Sequence, residues 1–326
     1  MTAAALLDRR LLFVTGKGGV GKTTVTAALA LLASQRPGPS GQEWKNAARV
    51  LACEVDAKGN LADYFETRRT AFKPREIQPN LFAMSMDTEA SLTEYLHLQL
   101  RLPAIARIGP LARIFEFVST AAPGVREILT VGKLAYEVRE RHYGLVVADS
   151  SASGHIVGQL TAPRSIDELM KVGPVHEQTG WMSDILADPA TTGLVIVTTP
   201  EEMPVNETIE LVARVREETD VQVAAIVVNR VLPELFSHSD EDVFERLRQP
   251  ALESAVATAV GGAVAPVLDA ARLAVTLRRT RAGHLDRLRA AVPDVPLLFI
   301  PYLFTRGHGL RTTSQTAEAL SAELGF

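Results

Sequence analysis

The chain has 326 residues, enough for one large α/β domain or two smaller ones. Lysine and arginine number 34 against 38 aspartates and glutamates, so no global field favours nucleic acid or an acidic membrane surface. Cys53 is the only cysteine, which excludes an intramolecular disulfide, a zinc site built from this chain's cysteines and an iron–sulfur cluster held by this chain.

The first predicted elements flank a glycine-rich loop. Residues 11–24 read LLFVTGKGGVGKTT, in which Gly16, Gly21, Lys22 and Thr23 follow the spacing G-x-x-x-x-G-K-T. LLFV predicts a buried strand, and the apolar spacing of TTVTAALALLAS predicts a helix. A glycine-rich turn without function would not require these flanks, so the segment indicates a phosphate-binding loop.

This loop predicts specific contacts with a nucleotide. Backbone N–H groups at a helix N-terminus bind phosphate oxygens, the lysine reaches the β- and γ-phosphates, and the hydroxyl after it ligates Mg²⁺. The predicted nucleotide-binding residues are Gly16, Gly18, Gly19, Val20, Gly21, Lys22, Thr23 and Thr24. A second lysine, Lys17, is not required by the motif, and we expect it to point away from its own nucleotide toward whatever faces the loop.

The remaining chain predicts a doubly wound, mostly parallel α/β sheet. Short apolar runs separated by helical segments predict strands at about 11–15, 49–55, 81–86, 144–149, 194–199, 222–228 and 296–301. We expect a single domain over residues 1–326, with helical additions at about 88–143, 160–190 and 238–291.

Two aspartates stand where predicted strands end. Asp56 follows the second strand in EVDAKGNL, and Asp149 follows the fourth in VVADSSASGH. Ligands collect at the carboxyl ends of such strands, and carboxylates suit Mg²⁺. We therefore predict Thr23, Asp149 and Asp56 on the metal side, with Asp56 also orienting the attacking water; a helix N-cap is the alternative for each aspartate.

The third helical addition carries an arginine cluster. Its members are Arg272, Arg278, Arg279, Arg281, Arg287 and Arg289. Aspartates are interspersed, which favours a solvated helix face over a nucleic-acid surface.

Nothing in the sequence predicts a membrane span. The N-terminus has no signal-peptide layout, and the longest uncharged apolar stretch, 254–268, is too short and too rich in alanine and glycine. We expect a cytoplasmic chain without a transmembrane segment.

Together these segments resemble a known family. In order, GKGGVGKTT, EVDAKGNLAD, LFAMSMDTEASLTEYL, APGVREILTVGKLAYEV, DSSASGH and VVNR are similar to the blocks of the family that unites arsenite-pump ATPases with ATPases that target tail-anchored proteins. Residues 154–182 look like the branch of paired actinobacterial anion-transporter-type ATPases. The resemblance implies the SIMIBI type of phosphate-loop fold, with ATP and Mg²⁺ as cofactors.

The resemblance also implies residue roles. Lys17 matches a lysine that reaches a partner subunit's phosphates, Asp56 matches the water-positioning aspartate of switch I, and Asp149 opens switch II. Asn229 matches an adenine-contacting asparagine, with Pro301 and Tyr302 in the adenine-side loop; on its own, Asn229 fits a strand-end turn equally well.

The chain departs from this family pattern at several places. Ala57 stands where proline is usual in switch I, with Lys58 following it, and Ser150, Ala152 and Ser153 depart from switch II. The C-x-x-C that holds zinc between subunits and the cysteine cluster of the arsenite pumps are both absent. We therefore expect neither zinc nor arsenite transport.

These patterns predict a MgATPase that works as a nucleotide-driven dimer switch, Lys17, Lys22 and Asp56 being its catalytic residues. The dimer forms with a second copy or with a homologous chain, and a protein client is left open. Two alternatives remain: a weakly active or regulatory subunit of a heterodimeric ATPase, and a positioning ATPase of the cell-division or plasmid-partition type (MinD/ParA-like).

Overall fold

A computed structural model describes residues 3–37, 44–56, 60–99, 124–169, 174–234, 237–305 and 307–326. Its centre is a sheet whose strand order is β3-β4-β2-β5-β1-β6-β7-β8. The strands are β1 (Leu11–Gly16), β2 (Val50–Glu54), β3 (Arg75–Gln78), β4 (Leu81–Ser85), β5 (Leu145–Asp149), β6 (Thr192–Thr198), β7 (Val223–Val231) and β8 (Leu297–Pro301).

The strands form because they are nearly continuous apolar runs, which suits a sheet that is covered on both faces. All neighbouring pairs are parallel except β3 with β4. The register places Val14 of β1 and Glu54 of β2 beside Asp149 of β5. The carboxyl ends of the three central strands therefore meet at one edge of the sheet.

Helices cover both faces of the sheet. They are α1 (Lys22–Ser34), α2 (Asn60–Tyr64), α3 (Thr88–Gln99), α4 (Val125–Arg139), α5 (Ser153–Leu169), α6 (Pro174–Ala187), α7 (Glu202–Glu218), α8 (His238–Leu247), α9 (Pro250–Val260), α10 (Ala265–Ala291) and α11 (Leu310–Leu324). A short 3-10 helix, Ala3–Asp8, precedes β1.

Alternation along each strand divides the core into two layers. Leu12 and Val14 of β1 face the layer that contains α1 and α11. Leu11 and Phe13 face the opposite layer, which contains residues of α4, α5, α7 and α10. This arrangement confirms the predicted doubly wound, mostly parallel α/β fold.

Strand β3 is an addition to the predicted sheet. Its sequence REIQ has no apolar run and its side chains are exposed or half-buried, so hydrophobic periodicity does not reveal it. The strand forms as an antiparallel edge partner of β4, to which it is joined by a tight connection in which Asn80 has φ +62°. A polar edge strand of this kind is stabilised by the ladder that it joins.

The helical additions differ in detail from their predicted limits. The first contains α3 and α4, while residues 100–123 lie outside the described part of the chain. The second begins earlier than predicted, because α5 already starts at Ser153. The third consists of α8, α9 and α10.

Within the described residues, no single helix is both long and apolar enough to cross a membrane. Of the helix pairs in the described part of the chain, α9 and α10 together satisfy that length and composition requirement, and the pair is bent by 118° at its break.

Candidate functional site

The loop between β1 and α1 has the backbone that its glycines allow. Gly16, Gly19 and Gly21 have φ values of +145°, +84° and +97°, which disfavour residues with a Cβ atom. A Cβ at Gly16 would lie 2.1 Å from the Val197 carbonyl oxygen, and one at Gly21 would lie 2.3 Å from Nδ2 of Asn229. The loop therefore fits closely between β6 and β7 at the edge where β1 ends.

Lys22, the first residue of α1, folds back over the loop. Its Nζ atom donates to the carbonyl oxygens of Gly16 at 3.2 Å and Lys17 at 3.3 Å. The ammonium group is thus held at the mouth of the loop, beside the first turn of a helix, where phosphate groups bind.

Lys17 takes a different direction from Lys22. Its Nζ lies 2.5 Å from Oε2 of Glu207 on α7, and the two side chains are 35% and 31% exposed. The other carboxylate oxygen of Glu207 accepts a hydrogen bond from the Ser153 hydroxyl at the start of α5. One carboxylate thus connects the glycine loop with the segment that follows Asp149.

Asp149 meets the glycine loop from β5. Its Oδ2 accepts a hydrogen bond of 2.6 Å from the Thr23 hydroxyl, and Oδ1 lies 3.5 Å from the Thr26 hydroxyl. Burial raises the pKa of Asp149 to about 6, although the hydrogen bond from Thr23 and the charge of Lys22 oppose this rise. Helix α5 begins only at Ser153, so Asp149 does not occupy its N-cap.

Asp56 follows β2 at the same edge. Its Oδ1 accepts a hydrogen bond of 3.2 Å from Arg126 in the first turn of α4, and this ion pair is partly exposed. The charge of Asp56 contributes to the raised pKa of Asp149, so the two aspartates are electrostatically coupled. Ala57 and Lys58 lie outside the described residues.

A cleft of about 340 Å³ opens beside the loop. Thr24, Asn229, Pro301 and Tyr302 line it together with the segment from Leu303 to Thr305. Asn229 lies 72 positions before Pro301 in the sequence, yet the predicted adenine-side residues share one concave surface next to α1. Its volume is within the usual range of small-molecule sites.

Asn229 also supports the glycine loop. It is buried, its Nδ2 donates to the Val20 carbonyl at 2.9 Å, and its Oδ1 accepts from the Arg230 backbone at 2.9 Å. The side chain is therefore held in place by the backbone on both sides.

Tyr64 links the cleft to the helix after Asp56. Its hydroxyl is 2.9 Å from Oγ1 of Thr24, its ring centroid is 5.2 Å from that of His308, and its carbonyl accepts from Thr313 at 3.0 Å. Burial raises the pKa of Tyr64, which stays protonated. Helix α2 is consequently tied to both sides of the cleft.

Four residues that contact this site are not predicted from the sequence to do so: Tyr64, Arg126, Ser153 and Glu207. Glu207 lies 190 positions from Lys17, and Arg126 lies 70 from Asp56. Neither belongs to a local motif with an expected spacing. From sequence alone, distant residues can be placed together when each follows a strand of a parallel sheet. Glu207 and Arg126 lie within helices, so that argument does not reach them.

Other candidate groups are placed away from this chemistry. Cys53 is buried in β2, and burial raises the pKa of its thiol. In the part of the chain that the structure describes, no three His, Cys, Asp or Glu side chains form a metal-binding group.

The arginine cluster of α10 is partly neutralised. Arg278 pairs with Glu234 at 3.0 Å, Arg281 with Glu201 at 3.4 Å and Arg289 with Asp286 at 3.4 Å. At least three of its six members therefore have acidic partners among the described residues.

Comparison with known proteins finds similarity to a family of ATPases. The sequence profile of a family described as anion-transporting ATPase matches residues 9–179 and 171–252. The protein called ATPase BagA of Mycobacterium tuberculosis is 30% identical over 235 residues, which are 69% of this chain and 66% of the relative. The chain thus spans just under two thirds of that relative's length.

Two eukaryotic relatives are also similar. ATPase GET3 of Podospora anserina is 28% identical over 185 residues, covering 55% of this chain and 51% of its own. An ATPase ASNA1 homolog of Entamoeba dispar is 27% identical over 258 residues, covering 68% and 76% respectively.

Proposed function

The chain belongs to the anion-transporting ATPase family, and we propose that it is a Mg²⁺-dependent ATP hydrolase in which two ATPase chains close around bound nucleotide. The observation that carries this proposal is the 2.6 Å hydrogen bond between Thr23 and Asp149. It joins the hydroxyl that follows the loop lysine to a carboxylate at the end of a neighbouring strand, the pair that phosphate-loop enzymes use around nucleotide.

The proposed nucleotide lies along the loop and into the cleft. Backbone N–H groups of Gly18 to Thr23 bind its phosphates, and Lys22, held at the mouth of the loop by weak contacts to carbonyls, turns to the β- and γ-phosphates. The base enters the cleft between Asn229, Pro301 and Tyr302. The residues that line the cleft and the positive end of the α1 dipole support this placement.

The chemistry of the Thr23–Asp149 pair fits Mg²⁺. Both side chains offer oxygen ligands, and a cation beside Asp149 would favour the charged form of its carboxyl group, which burial disfavours. When bound, Mg²⁺ neutralises charge on the β- and γ-phosphates. Thr23 and Asp149 would hold it, directly or through water, with the nearby Asp56 on the metal side.

Asp56 is proposed to orient the attacking water. Phosphoryl transfer depends on positioning and charge stabilisation more than on covalent help from the protein. In the structure Asp56 is held by Arg126, so α4 is connected to the carboxylate that would sense the γ-phosphate. This contact offers a route by which the helical additions respond to nucleotide.

Lys17 is proposed to act on the phosphates of the partner chain. Its ammonium group pairs with Glu207, whereas that of Lys22 contacts the Gly16 carbonyl and is the one proposed for the chain's own nucleotide. Arsenite is not proposed as a cargo, because Cys53 is the chain's only cysteine and is buried.

Steady-state hydrolysis tests the proposal. The rate of phosphate release from MgATP is measured for the purified chain over a wide range of protein concentration, beside Lys22→Ala, Lys17→Ala and Asp56→Asn. We expect specific activity to rise with concentration, Lys22→Ala to lose ATP binding in calorimetry, and Asp56→Asn to bind ATP while losing about 100-fold or more in rate. Lys17→Ala should bind ATP and hydrolyse it poorly.

Asp63→Asn is the matched control, since it makes the same change on the exposed face of α2. Undiminished turnover in Asp56→Asn, or unchanged ATP affinity in Lys22→Ala, would contradict the proposal. ATP binding without turnover at any concentration would instead indicate the subunit of a heterodimeric ATPase.

A further inference from the structure

Glu207 binds two parts of the site at the same time. Its Oε2 is 2.5 Å from Nζ of Lys17, and its Oε1 accepts the hydroxyl of Ser153. Lys17 belongs to the glycine loop, and Ser153 is the first residue of α5, just after Asp149. Both oxygens of this carboxylate are therefore engaged by segments that would contact nucleotide.

The two ends of the ion pair differ in rigidity. Glu207 lies on α7, whose neighbouring residues Val205, Thr208 and Leu211 are buried. Lys17 lies between Gly16 and Gly18, where a Cβ at Gly18 would meet nothing within 4 Å. A change in this contact should therefore move Lys17 and leave Glu207 in place.

The charge of Glu207 is unfavourable for phosphate. Burial alone would raise the pKa of its carboxyl group, but the hydrogen bonds from Lys17 and Ser153 outweigh burial and lower it. The group is an anion at neutral pH, and it neutralises the ammonium that would attract a partner's phosphates. While the ion pair is intact, the ammonium group of Lys17 stays bound to Glu207 of its own chain.

We propose that Glu207 is a positioning residue that holds Lys17 within its own chain, and that displacement of Ser153 releases the lysine toward the partner. This inference rests on the proposed function, because the release matters only if Lys17 acts across a dimer. Glu207 touches no reacting atom and acts through Lys17. We call the contact of Glu207 with Lys17 and Ser153 the clamp. It couples the segment after Asp149 to the surface that meets the second chain.

The clamp is tested first in the absence of nucleotide. Lysine modification by reductive methylation, quantified by mass spectrometry, reports how accessible the Lys17 ammonium is. We expect the labelling rate of Lys17 to rise severalfold in Glu207→Gln and to rise less in Ser153→Ala. Glu210→Gln, an exposed position on the same helix, is the matched control and should label like the wild type.

The second measurement reports what the clamp does. Sedimentation with Mg²⁺ and the non-hydrolysable analogue adenylyl imidodiphosphate gives the protein concentration at which half of the chain is dimeric. Glu207→Gln should lower this midpoint by about two- to fivefold, the range expected for breaking a partly exposed ion pair. In a Lys17→Ala background the same substitution should have no effect, because nothing is left to release.

Several results would overturn the inference. Unchanged labelling and an unchanged midpoint in both Glu207→Gln and Ser153→Ala would show that no clamp exists. A midpoint raised as much as by Lys17→Ala would show that Glu207 aims the lysine rather than restraining it. If either result is obtained while the wild type still dimerises with nucleotide, the clamp is refuted and the proposed function stands. If neither the wild type nor any variant dimerises although all bind nucleotide, the clamp and the proposed function are both refuted.

Discussion

Gly16 is the residue at which the phosphate loop leaves the sheet. It is the last residue of β1, has φ +145°, and lies so close to β6 that a Cβ atom would be 2.1 Å from the Val197 carbonyl oxygen and 3.1 Å from the carbonyl carbon. The contact is with backbone, which cannot rotate away as a side chain does. The start of the loop is therefore set by the packing of two parallel strands.

Gly16→Ala should destabilise the protein severely, by about 3 kcal/mol or more, because the methyl group would force β1 and β6 apart and would also strain the backbone. Gly18→Ala is the matched control in the same loop, where the added methyl group meets nothing within 4 Å. It should change the free energy of unfolding by less than about 1 kcal/mol. Urea denaturation of both variants checks this, and equal stabilities would contradict the packing argument.

At the scale of elements, α4 is attached to α3 through a buried charge cluster. Lys133 is 6% exposed and lies 2.7 Å from carboxylate oxygens of both Glu94 and Glu137. Glu137, equally buried, also contacts Nδ1 of His142 at 2.7 Å. Because Arg126 at the other end of α4 contacts Asp56, this cluster anchors the helix that touches the site.

Lys133→Met should cost about 3 kcal/mol, because it leaves Glu137 buried without its cation. Lys73→Met, at an exposed position, should cost less than about 0.5 kcal/mol. Urea denaturation at neutral pH measures both. A cost for Lys133→Met no larger than that of the control would show that the cluster contributes nothing to stability.

The same cluster predicts a pH dependence. Burial alone would lower the pKa of Lys133, but the interactions with Glu137 and Glu94 outweigh it and raise this pKa above its ordinary value of 10.5. The folded state then holds the proton more tightly than the unfolded state. The contribution to stability is complete below pH 10.5 and is lost as pH rises through the raised pKa, so the difference between wild type and Lys133→Met should shrink on alkaline titration.

In the molecule as a whole, α9 and α10 expose large apolar side chains. These are Leu252, Val260, Val267, Leu273 and Leu277, which we call the α9–α10 surface. None of the residues of α9 is buried. These side chains therefore contribute little to the stability of the chain on its own.

Val260→Ser with Val267→Ser should leave the free energy of unfolding within about 0.5 kcal/mol of the wild type, because these side chains are 71% and 65% exposed. The double variant should also bind less of the apolar dye ANS. Val212→Ser, a buried position on α7, is the contrasting control and should cost about 3 kcal/mol. A large loss of stability in the surface variant would show that this surface is packed in solution.

Much of the architecture could be predicted because parallel strands buried on both faces are recognisable as apolar runs. The seven predicted strands are all present, and their ends agree within two residues except for β7, which continues three residues further, to Val231. Strand β3 could not be predicted, since its side chains are polar and only its pairing with β4 makes it a strand. The start of α5 at Ser153 was missed because DSSASGH lacks an apolar period there.

The phosphate loop and the fold class are readable from the amino-acid sequence, because a glycine loop between a strand and a helix is a contiguous pattern and because apolar periodicity is local. The sequence also indicates that Asp56 and Asp149 lie near the loop, since parallel strands end at one edge. Which side chains meet there depends on the packing of the folded chain: Thr23 with Asp149, Asp56 with Arg126, and Lys17 with Glu207. Contacts between helices and loops that are 70 to 190 positions apart depend on how the layers pack, and this packing produces no periodic pattern in the sequence.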